Sequence, residues 1–182
     1  MTTLGRSKSA LVVIDVQVGI MKTAYQGQEI IERIAGLVDR ARAAGVPVVW
    51  VQHSDEELIL NSPEWQLPPE LVPAEGEARI YKNYRNSFEA TDLESVLEKL
   101  NVGHVYICGA ESNHCVRFTT QGALDRGYDA TFISDAHTTT GFEWNGMVVD
   151  AKQVIDEQNT NFWGMELPGR WVRALPSAEV KF

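Results

Sequence analysis

The segment from His104 to Val116 constrains the fold and the chemistry of this chain more than any other. It begins with a short apolar run rich in strand-forming residues, Val105 to Cys108, which is too short to form a helix of its own. Gly109 ends the run, a polar turn follows, and Cys115 begins a stretch in which apolar residues recur at helical spacing. The pattern predicts a strand, a tight turn and a helix with a cysteine in its first turn.

A cysteine in the first turn of a helix has a chemical use. The first N–H groups of a helix lack intrahelical partners, and the positive end of the helix dipole lies there. This position stabilises a thiolate, which is the nucleophilic form of cysteine, and the same N–H groups can hold an oxyanion. The alternative is that Cys115 is only a small buried apolar residue. The local pattern leaves both interpretations open.

Strands alternate with helices along the rest of the chain. Apolar runs and helical stripes predict strands at 10–14, 46–51, 79–81, 105–108, 128–133 and 171–175, and helices at 28–44, 91–100, 115–124 and 144–162. Thr91 and Glu94 have the spacing of a capping box. This alternation predicts an α/β fold with a doubly wound parallel sheet and helices on both faces. The irregular stretch at 52–77 is expected to be an ordered loop that covers a site.

Composition limits the classes of protein and partner. The 182 residues predict one domain, 1–182, in which residues 1–9 form a loose N-terminal segment. A net charge of −9 argues against nucleic-acid and anionic-membrane partners. No apolar stretch predicts a signal peptide or a membrane span, so we expect a cytoplasmic protein. The two cysteines fit neither a disulfide scaffold nor a zinc site, and we expect both to be reduced.

Three chemically useful residues converge in the predicted sheet. Asp15, Lys82 and Cys115 each lie at, or just after, the carboxyl end of a different strand, and such ends meet at one edge of a parallel sheet. There the carboxylate can take the thiol proton, the ammonium can stabilise the thiolate, and turn N–H groups can hold the oxyanion of an attacked carbonyl. The alternative is a structural ion pair between Asp15 and Lys82.

Four motifs carry a resemblance to a known family. They are Asp15-Val16-Gln17, Lys82 with Ser87-Phe88 and Thr91-Asp92-Leu93, Gly109 to Val116, and Ser134 to Thr139 after Gly127-Tyr128. In this order they resemble the isochorismatase-like cysteine hydrolases, and the resemblance covers nearly the whole chain from Ala10 to Phe182.

The resemblance implies a fold and a set of site residues. The fold would be a three-layer α/β/α sandwich with a six-stranded, mostly parallel sheet, and Asp15, Lys82 and Cys115 would form a catalytic triad. A cis peptide bond between Ala110 and Glu111 would turn the N–H of Glu111 toward the site, where it would form an oxyanion hole with the N–H of Cys115. The resemblance also implies a homodimer or homotetramer.

The sequence departs from some members of that family. Nicotinamidases of the family carry more histidine ligands than this chain has, because His53 and Asp55 are too few for a catalytic metal site. We therefore expect no metal and no cofactor. True isochorismatases often lack the nucleophilic cysteine, so Cys115 favours a C–N substrate, an amide or a carbamoyl compound. The alternatives are a vinyl ether hydrolase of the isochorismatase type and a non-catalytic protein that binds a small molecule.

The substrate pocket is the least constrained part of the interpretation. Glu111 is predicted either to recognise an amine or to order a loop, and a surface carboxylate is the alternative. His114 and His137 are expected to pack or hydrogen-bond rather than react. The predicted substrate-binding residues are Gln17, His53, Trp65, Tyr84, Phe88 and Glu111, with Phe142 and Trp144 as further candidate walls.

Overall fold

The computed structural model describes residues 2–182. Its strands are β1 (Lys8–Ile14), β2 (Val48–His53), β3 (Ala78–Lys82), β4 (Val102–Ala110), β5 (Asp129–Thr138), β6 (Phe142–Trp144), β7 (Met147–Val149), β8 (Glu166–Leu167) and β9 (Arg170–Leu175). Its α-helices are α1 (Val18–Met21), α2 (Gly27–Ala43), α3 (Leu93–Lys99), α4 (Arg117–Asp125) and α5 (Ala151–Phe162). A π-helical turn, Ser112–Val116, joins β4 to α4, and a 3-10 turn, Ser177–Glu179, follows β9.

The central sheet has seven strands in the order β3-β2-β1-β4-β5-β9-β8. All neighbouring pairs are parallel except β8 and β9. The chain crosses from β3 to β4 on the far side of β1, so the β1–β4 pair is the point where the strand order reverses. Such a point leaves a crevice at the carboxyl ends of the strands. The predicted α/β class is confirmed, with one short antiparallel edge strand more than the six expected.

Two separate cores lie on the two faces of the sheet. Alternate residues of β1 point to opposite faces, so Val12 packs in one core while Leu11 and Val13 pack in the other. Helix α2 covers the second core with its apolar stripe, including Ile34. Helices α3, α4 and α5 contribute to the first core. Helices on both faces explain why the inner strands are apolar on both sides.

The structure corrects the predicted helix at 144–162. Residues 142–149 form the antiparallel β6–β7 hairpin, and the helix begins only at Ala151. Asn145 and Gly146 occupy the turn with φ of 51° and 78°, as a two-residue hairpin turn requires. Asp150 caps the helix, because its carboxylate accepts the N–H of Gln153 and the Gln153 side chain accepts the N–H of Asp150.

The predicted capping box at Thr91 is also wrong. Helix α3 begins at Leu93, and no side chain caps it. The Thr91 hydroxyl donates to the carbonyl oxygen of Ser87 at 2.6 Å and accepts from the N–H of Leu93 at 3.3 Å. Thr91 therefore closes a turn before the helix instead of capping it.

The N-terminal residues differ from the expected loose segment. Lys8 begins β1, and Arg6 donates to the Tyr128 hydroxyl at 2.9 Å. Thr3 donates to the carbonyl oxygen of Gly127 at 3.1 Å. These contacts tie residues 2–9 to the start of β5, whereas residue 1 lies outside the described part. Across residues 2–182, no helix combines the length and apolar character that crossing a bilayer requires.

Candidate active site

The β1–β4 crevice brings the three predicted catalytic residues together. Asp15 directly follows β1 and has a φ of 51°, a left-handed conformation that only a few per cent of non-glycine residues adopt. Lys82 is the last residue of β3, and Cys115 lies in the turn after β4. Gly109 lets β4 approach β1 closely, since a Cβ atom there would lie 2.0 Å from the carbonyl oxygen of Ile14.

The Lys82 ammonium lies at the centre of this group. Its Nζ is 2.7 Å from Asp15 Oδ2 and 3.2 Å from Cys115 Sγ. The Lys82 and Asp15 side chains are 0% and 1% exposed, so the ion pair is shielded from water. Asp15 Oδ1 has no hydrogen-bond donor among residues 2–182. This oxygen is therefore open to a proton or a hydrogen bond from a group in the cleft.

The pKa values assign the resting protonation state. Burial, and after it the negative charge of Asp15, raise the pKa of Cys115 to about 12, although the Lys82 ammonium acts in the opposite direction. Burial opposes the charge on Lys82, yet Asp15 and Cys115 together hold the Lys82 pKa above its ordinary value. The resting site is therefore a neutral thiol beside an ion pair. This corrects the expectation of a thiolate stabilised at a helix N-terminus.

Cys115 lies in a turn of irregular shape. The peptide bond between Ala110 and Glu111 is cis. The carbonyl oxygen of Glu111 then accepts the N–H groups of His114 at 3.0 Å and Val116 at 3.2 Å. His114 departs from helical geometry with φ −112° and ψ −106°. The cysteine thus precedes α4 in a kinked π-helical turn, rather than lying in its first turn.

The carboxyl end of β5 and the residues after it hold this turn. The Thr139 hydroxyl donates to Asn113 Oδ1 at 2.8 Å, and His137 Nδ1 lies 2.7 Å from the Ser112 hydroxyl. His137 is buried, and burial lowers its pKa to about 4, so the ring is neutral. The expectation that His137 would be structural agrees with these contacts.

Glu111 belongs to the same set of contacts. Its Oε2 lies 2.8 Å from His114 Nδ1, and its Oε1 accepts from the Thr140 hydroxyl at 3.3 Å. The bond from His114 is the main cause of the lowered pKa of Glu111. Both carboxylate oxygens therefore have partners in the protein, which favours the loop-ordering alternative over recognition of an amine.

The cleft above the thiol has a volume of about 490 Å³. Asp15, Cys115, His53 and Glu111 line it. Leu58 and Glu64, from the loop between β2 and β3, also line the cleft, as predicted for this loop. Arg85, three residues after Lys82, also lines the cleft, and no motif pointed to it.

Two predicted substrate-binding residues brace that loop instead. Gln17 is fully buried, and its amide donates to the carbonyl oxygens of His53 at 3.0 Å and Trp65 at 2.9 Å. Its Oε1 accepts the N–H of His53 at 2.8 Å. Trp65 is 4% exposed and donates from Nε1 to the Ser54 hydroxyl at 2.9 Å. The hydrogen-bonding groups of both side chains are used within the protein, and neither side chain lines the cleft.

The other predicted wall residues also lie elsewhere. Phe88 is buried in the core against Tyr128, with the ring centroids 5.8 Å apart. Tyr84 is 57% exposed and does not line the cleft. Phe142 lines a neighbouring cavity of about 840 Å³, and Trp144 is exposed on the hairpin. Of the aromatic and imidazole candidates, only His53 reaches the cleft.

His53 and Asp55 are arranged differently from a metal site. His53 Nδ1 lies 3.3 Å from Lys82 Nζ, and His53 Nε2 lies 3.1 Å from Asp55 Oδ2. Both ring nitrogens thus have protein partners. Within residues 2–182, no three His, Cys, Asp or Glu side chains are grouped to hold a metal ion.

Comparison with known proteins identifies the family. A family model described as the isochorismatase domain matches residues 9–160. The chain belongs to the isochorismatase family. An isochorismatase from Pseudomonas putida KT2440 has a similar crystal structure, with a TM-score of 0.86 and 27% identity, over 97% of this chain and 93% of that one.

Two relatives of this isochorismatase-family hydrolase have named activities. Streptothricin hydrolase from Streptomyces noursei is 31% identical over 136 residues, which are 71% of this chain and 49% of the relative. N-carbamoylsarcosine amidase from an Arthrobacter species is 27% identical over 122 residues, which are 56% of this chain and 46% of the relative. The matched region therefore spans about half the length of each relative.

Proposed function

We propose that this protein is a metal-independent cysteine hydrolase that cleaves a C–N bond, of an amide or carbamoyl compound, in a small molecule. The observation that carries the proposal is the Lys82 ammonium between Asp15 Oδ2, at 2.7 Å, and Cys115 Sγ, at 3.2 Å. A purely structural ion pair does not need a thiol as its third member. The names of the two relatives, a hydrolase and an amidase, agree with this class of reaction.

The first step forms a covalent intermediate. Asp15 takes the thiol proton as Cys115 Sγ attacks the carbonyl carbon, so a C–S bond forms and the carbonyl oxygen becomes an oxyanion. Removing the proton neutralises Asp15 and moves the negative charge toward sulfur and then toward oxygen. Lys82 contacts both Asp15 and Cys115, so its positive charge stays beside the moving negative charge.

The oxyanion needs donors of its own. Glu111 follows the cis peptide bond, and Glu111 and Cys115 both line the cleft. The backbone N–H groups of these two residues form the oxyanion hole in our proposal. Contacts from β5 and the residues after it to Ser112 and Asn113 hold the turn between them.

The remaining steps regenerate the enzyme. The tetrahedral intermediate collapses, the C–N bond breaks, and the leaving nitrogen takes the proton from Asp15. Asp15 then deprotonates a water molecule, which attacks the thioester carbonyl. The C–S bond breaks, the product acid leaves, and the sulfur regains a proton. The products are an acid and an amine, or ammonia.

The test is ammonia release from a panel of small amides and carbamoyl compounds, with and without a chelator. Cys115→Ala should abolish release and leave the fold intact, and the chelator should have no effect. Cys108→Ala is the matched control, because Cys108 is a buried β4 residue outside the cleft. Full activity of Cys115→Ala would contradict the covalent mechanism.

The vinyl ether alternative predicts a different pattern. A hydrolase of that type would keep its activity in Cys115→Ala and lose it in Asp15→Asn. A non-catalytic binding protein would release no product from either class of substrate. We further propose that the enzyme acts in the cytoplasm as a homodimer or homotetramer.

A further inference from the structure

We propose that His53 and Asp55 are positioning residues that fix the direction of the Lys82 ammonium. The inference rests on the proposed cysteine hydrolase function and adds two positioning residues behind the three catalytic ones. It starts from an unusual feature of Lys82, which is a buried ammonium with three different acceptors within 3.3 Å.

The three acceptors match the three protons of an ammonium group. Lys82 Nζ lies 2.7 Å from Asp15 Oδ2, 3.2 Å from Cys115 Sγ and 3.3 Å from His53 Nδ1. An ammonium can only donate. The His53 nitrogen that faces it must therefore present its lone pair, and its proton lies on Nε2.

Asp55 selects the same tautomer from the other side of the ring. Its Oδ2 lies 3.1 Å from His53 Nε2, and a carboxylate accepts the Nε2 proton. Asp55 Oδ1 is itself held by the N–H groups of Glu57 at 2.9 Å and Leu58 at 2.7 Å. These backbone bonds, led by that of Leu58, also lower the Asp55 pKa. The carboxylate is thus a fixed, ionised acceptor.

The backbone of His53 is fixed as well. Gln17 accepts the His53 N–H at 2.8 Å and donates to its carbonyl oxygen at 3.0 Å. The imidazole therefore joins two rigid parts of the fold, the end of β2 and the loop turn at Asp55, to a flexible lysine side chain. This arrangement gives the first residues of the covering loop a role in the chemistry.

The bond between His53 and Lys82 matters most at the moment of proton transfer. When Asp15 becomes neutral and sulfur becomes negative, an ammonium held only by these two groups can rotate or shift toward either one. A third bond to His53 Nδ1 fixes one N–H, and the geometry of the ammonium then directs the other two toward Asp15 and Cys115. Loss of this bond should lower kcat with little change in KM, because Nδ1 faces the Lys82 ammonium, which already occupies it.

Asp55→Asn is the sharpest test, since it keeps the shape of the side chain. The N–H groups of Glu57 and Leu58 still need the amide oxygen, so the amide NH₂ group must face His53 Nε2. That nitrogen then has to accept, and the ring proton moves to Nδ1, where it opposes the Lys82 ammonium. We expect kcat to fall about 10- to 100-fold, as for the loss of one hydrogen bond to a charged group, with KM changed less than about twofold.

Three further variants complete the design. Glu56→Gln is the matched control, because it removes a charge from the same loop, at an exposed residue that does not line the cleft, and it should keep wild-type kcat. His53→Asn places an amide oxygen near the Nδ1 position and should retain most of kcat, whereas His53→Leu should lose as much as Asp55→Asn. In the His53→Asn background, Asp55→Asn should cause no further loss, because Asp55 acts through the ring.

The tautomer can be measured without any substrate. Long-range ¹H–¹⁵N spectra of histidine-labelled protein should show His53 with its proton on Nε2, and on Nδ1 in Asp55→Asn. This result stands or fails independently of amide hydrolysis, so failure of the proposed function would not hide it. An Nδ1 proton in the wild type, wild-type kcat in Asp55→Asn, or additive losses in the double variant would each overturn the proposal.

Discussion

Cys115 is a buried thiol between a carboxylate and an ammonium, and the carboxylate determines its resting state. Burial is the largest cause of its raised pKa, the charge of Asp15 is the next, and Lys82 acts in the opposite direction. The thiol therefore stays protonated near neutral pH and loses its proton only to Asp15 during attack. Slow alkylation of Cys115 in the wild-type protein would therefore not distinguish a cysteine hydrolase from a non-catalytic binding protein.

Asp15→Asn should separate chemical reactivity from turnover. The substitution removes one cause of the raised thiol pKa and leaves Lys82 in place, so the Cys115 pKa should fall. At pH 8 the alkylation rate by iodoacetamide should rise about tenfold for each unit by which the pKa falls, while turnover is abolished. Mass spectrometry should locate the label on Cys115, since burial also raises the pKa of Cys108. An unchanged or lower alkylation rate would show that Asp15 does not oppose the thiolate.

At the scale of elements, the end of β5 links the stability of the fold to the site. The Asn159 amide donates to the carbonyl oxygen of Ser134 at 2.9 Å, so its oxygen faces His137 Nε2 at 3.0 Å. His137 therefore carries its proton on Nε2, and its Nδ1 accepts from the Ser112 hydroxyl. Protonation of Nδ1 would reverse the direction of the bond to Ser112 and place a positive charge in a buried site.

This network predicts a loss of stability in mild acid. Burial lowers the pKa values of His137 and His104 to about 4, from 6.5. A lowered histidine pKa gives stability that is fully present above about pH 6.5 and is lost as the pH falls toward 4. The free energy of unfolding in urea should fall between pH 7 and pH 5 by about 2 kcal/mol for each histidine. His104→Gln should remove about half of this slope, and a stability that is equal at both pH values would contradict the buried neutral state.

Two glycines provide a matched test of the β1–β4 approach. Gly109→Ala would place a methyl group 2.0 Å from the carbonyl oxygen of Ile14, at a φ of 124° that side chains rarely adopt. We expect a loss of about 3 kcal/mol or more in the free energy of unfolding. Gly36 lies in α2, where an added Cβ atom would meet no atom within 4 Å. Gly36→Ala should therefore raise the free energy of unfolding by up to about 1 kcal/mol. Thermal unfolding of both variants would check the prediction, and a stable Gly109→Ala protein would contradict the steric argument.

Sequence reasoning predicted the elements that are apolar and regular. The buried strands, the α2 stripe and the meeting of Asp15, Lys82 and Cys115 follow from periodicity and from the behaviour of parallel sheets. It was wrong for 144–149, where Met147 and Val148 fit a helical stripe although the Asn145-Gly146 pair is a strong hairpin signal.

The pocket could not be predicted in the same way. An aromatic residue near a motif can equally be a core residue, as Phe88 is, or a loop brace, as Trp65 is. The contact between His53 and Lys82 joins residues that are 29 positions apart. It depends on the side-by-side pairing of β2 and β3, and no local pattern encodes it.

At the scale of the whole molecule, the β6–β7 hairpin is a candidate interaction surface. Its two strands pair only with each other, and its apolar side chains are open to solvent. Trp144 is 67% exposed, and its cross-strand partner Met147, on the same face of the hairpin, is 54% exposed. Neighbouring exposed apolar side chains of this size are uncommon on monomers and mark interaction sites. The hairpin is therefore where we expect the proposed homodimer or homotetramer to form.

A double substitution, Trp144→Ser with Met147→Ser, should convert that oligomer to a monomer. Light scattering after size-exclusion chromatography should give two or four times the chain mass for the wild type and one chain mass for the variant. Val72→Ser is the control, because Val72 is 67% exposed in the loop between β2 and β3 and carries no part of the hairpin. A monomeric wild type, or a variant that stays oligomeric, would contradict the prediction. The hairpin also lies close to the catalytic cleft. Its residue Phe142 lines the neighbouring cavity together with His114, and His114 also lines the cleft. Loss of the interface should therefore raise KM as well.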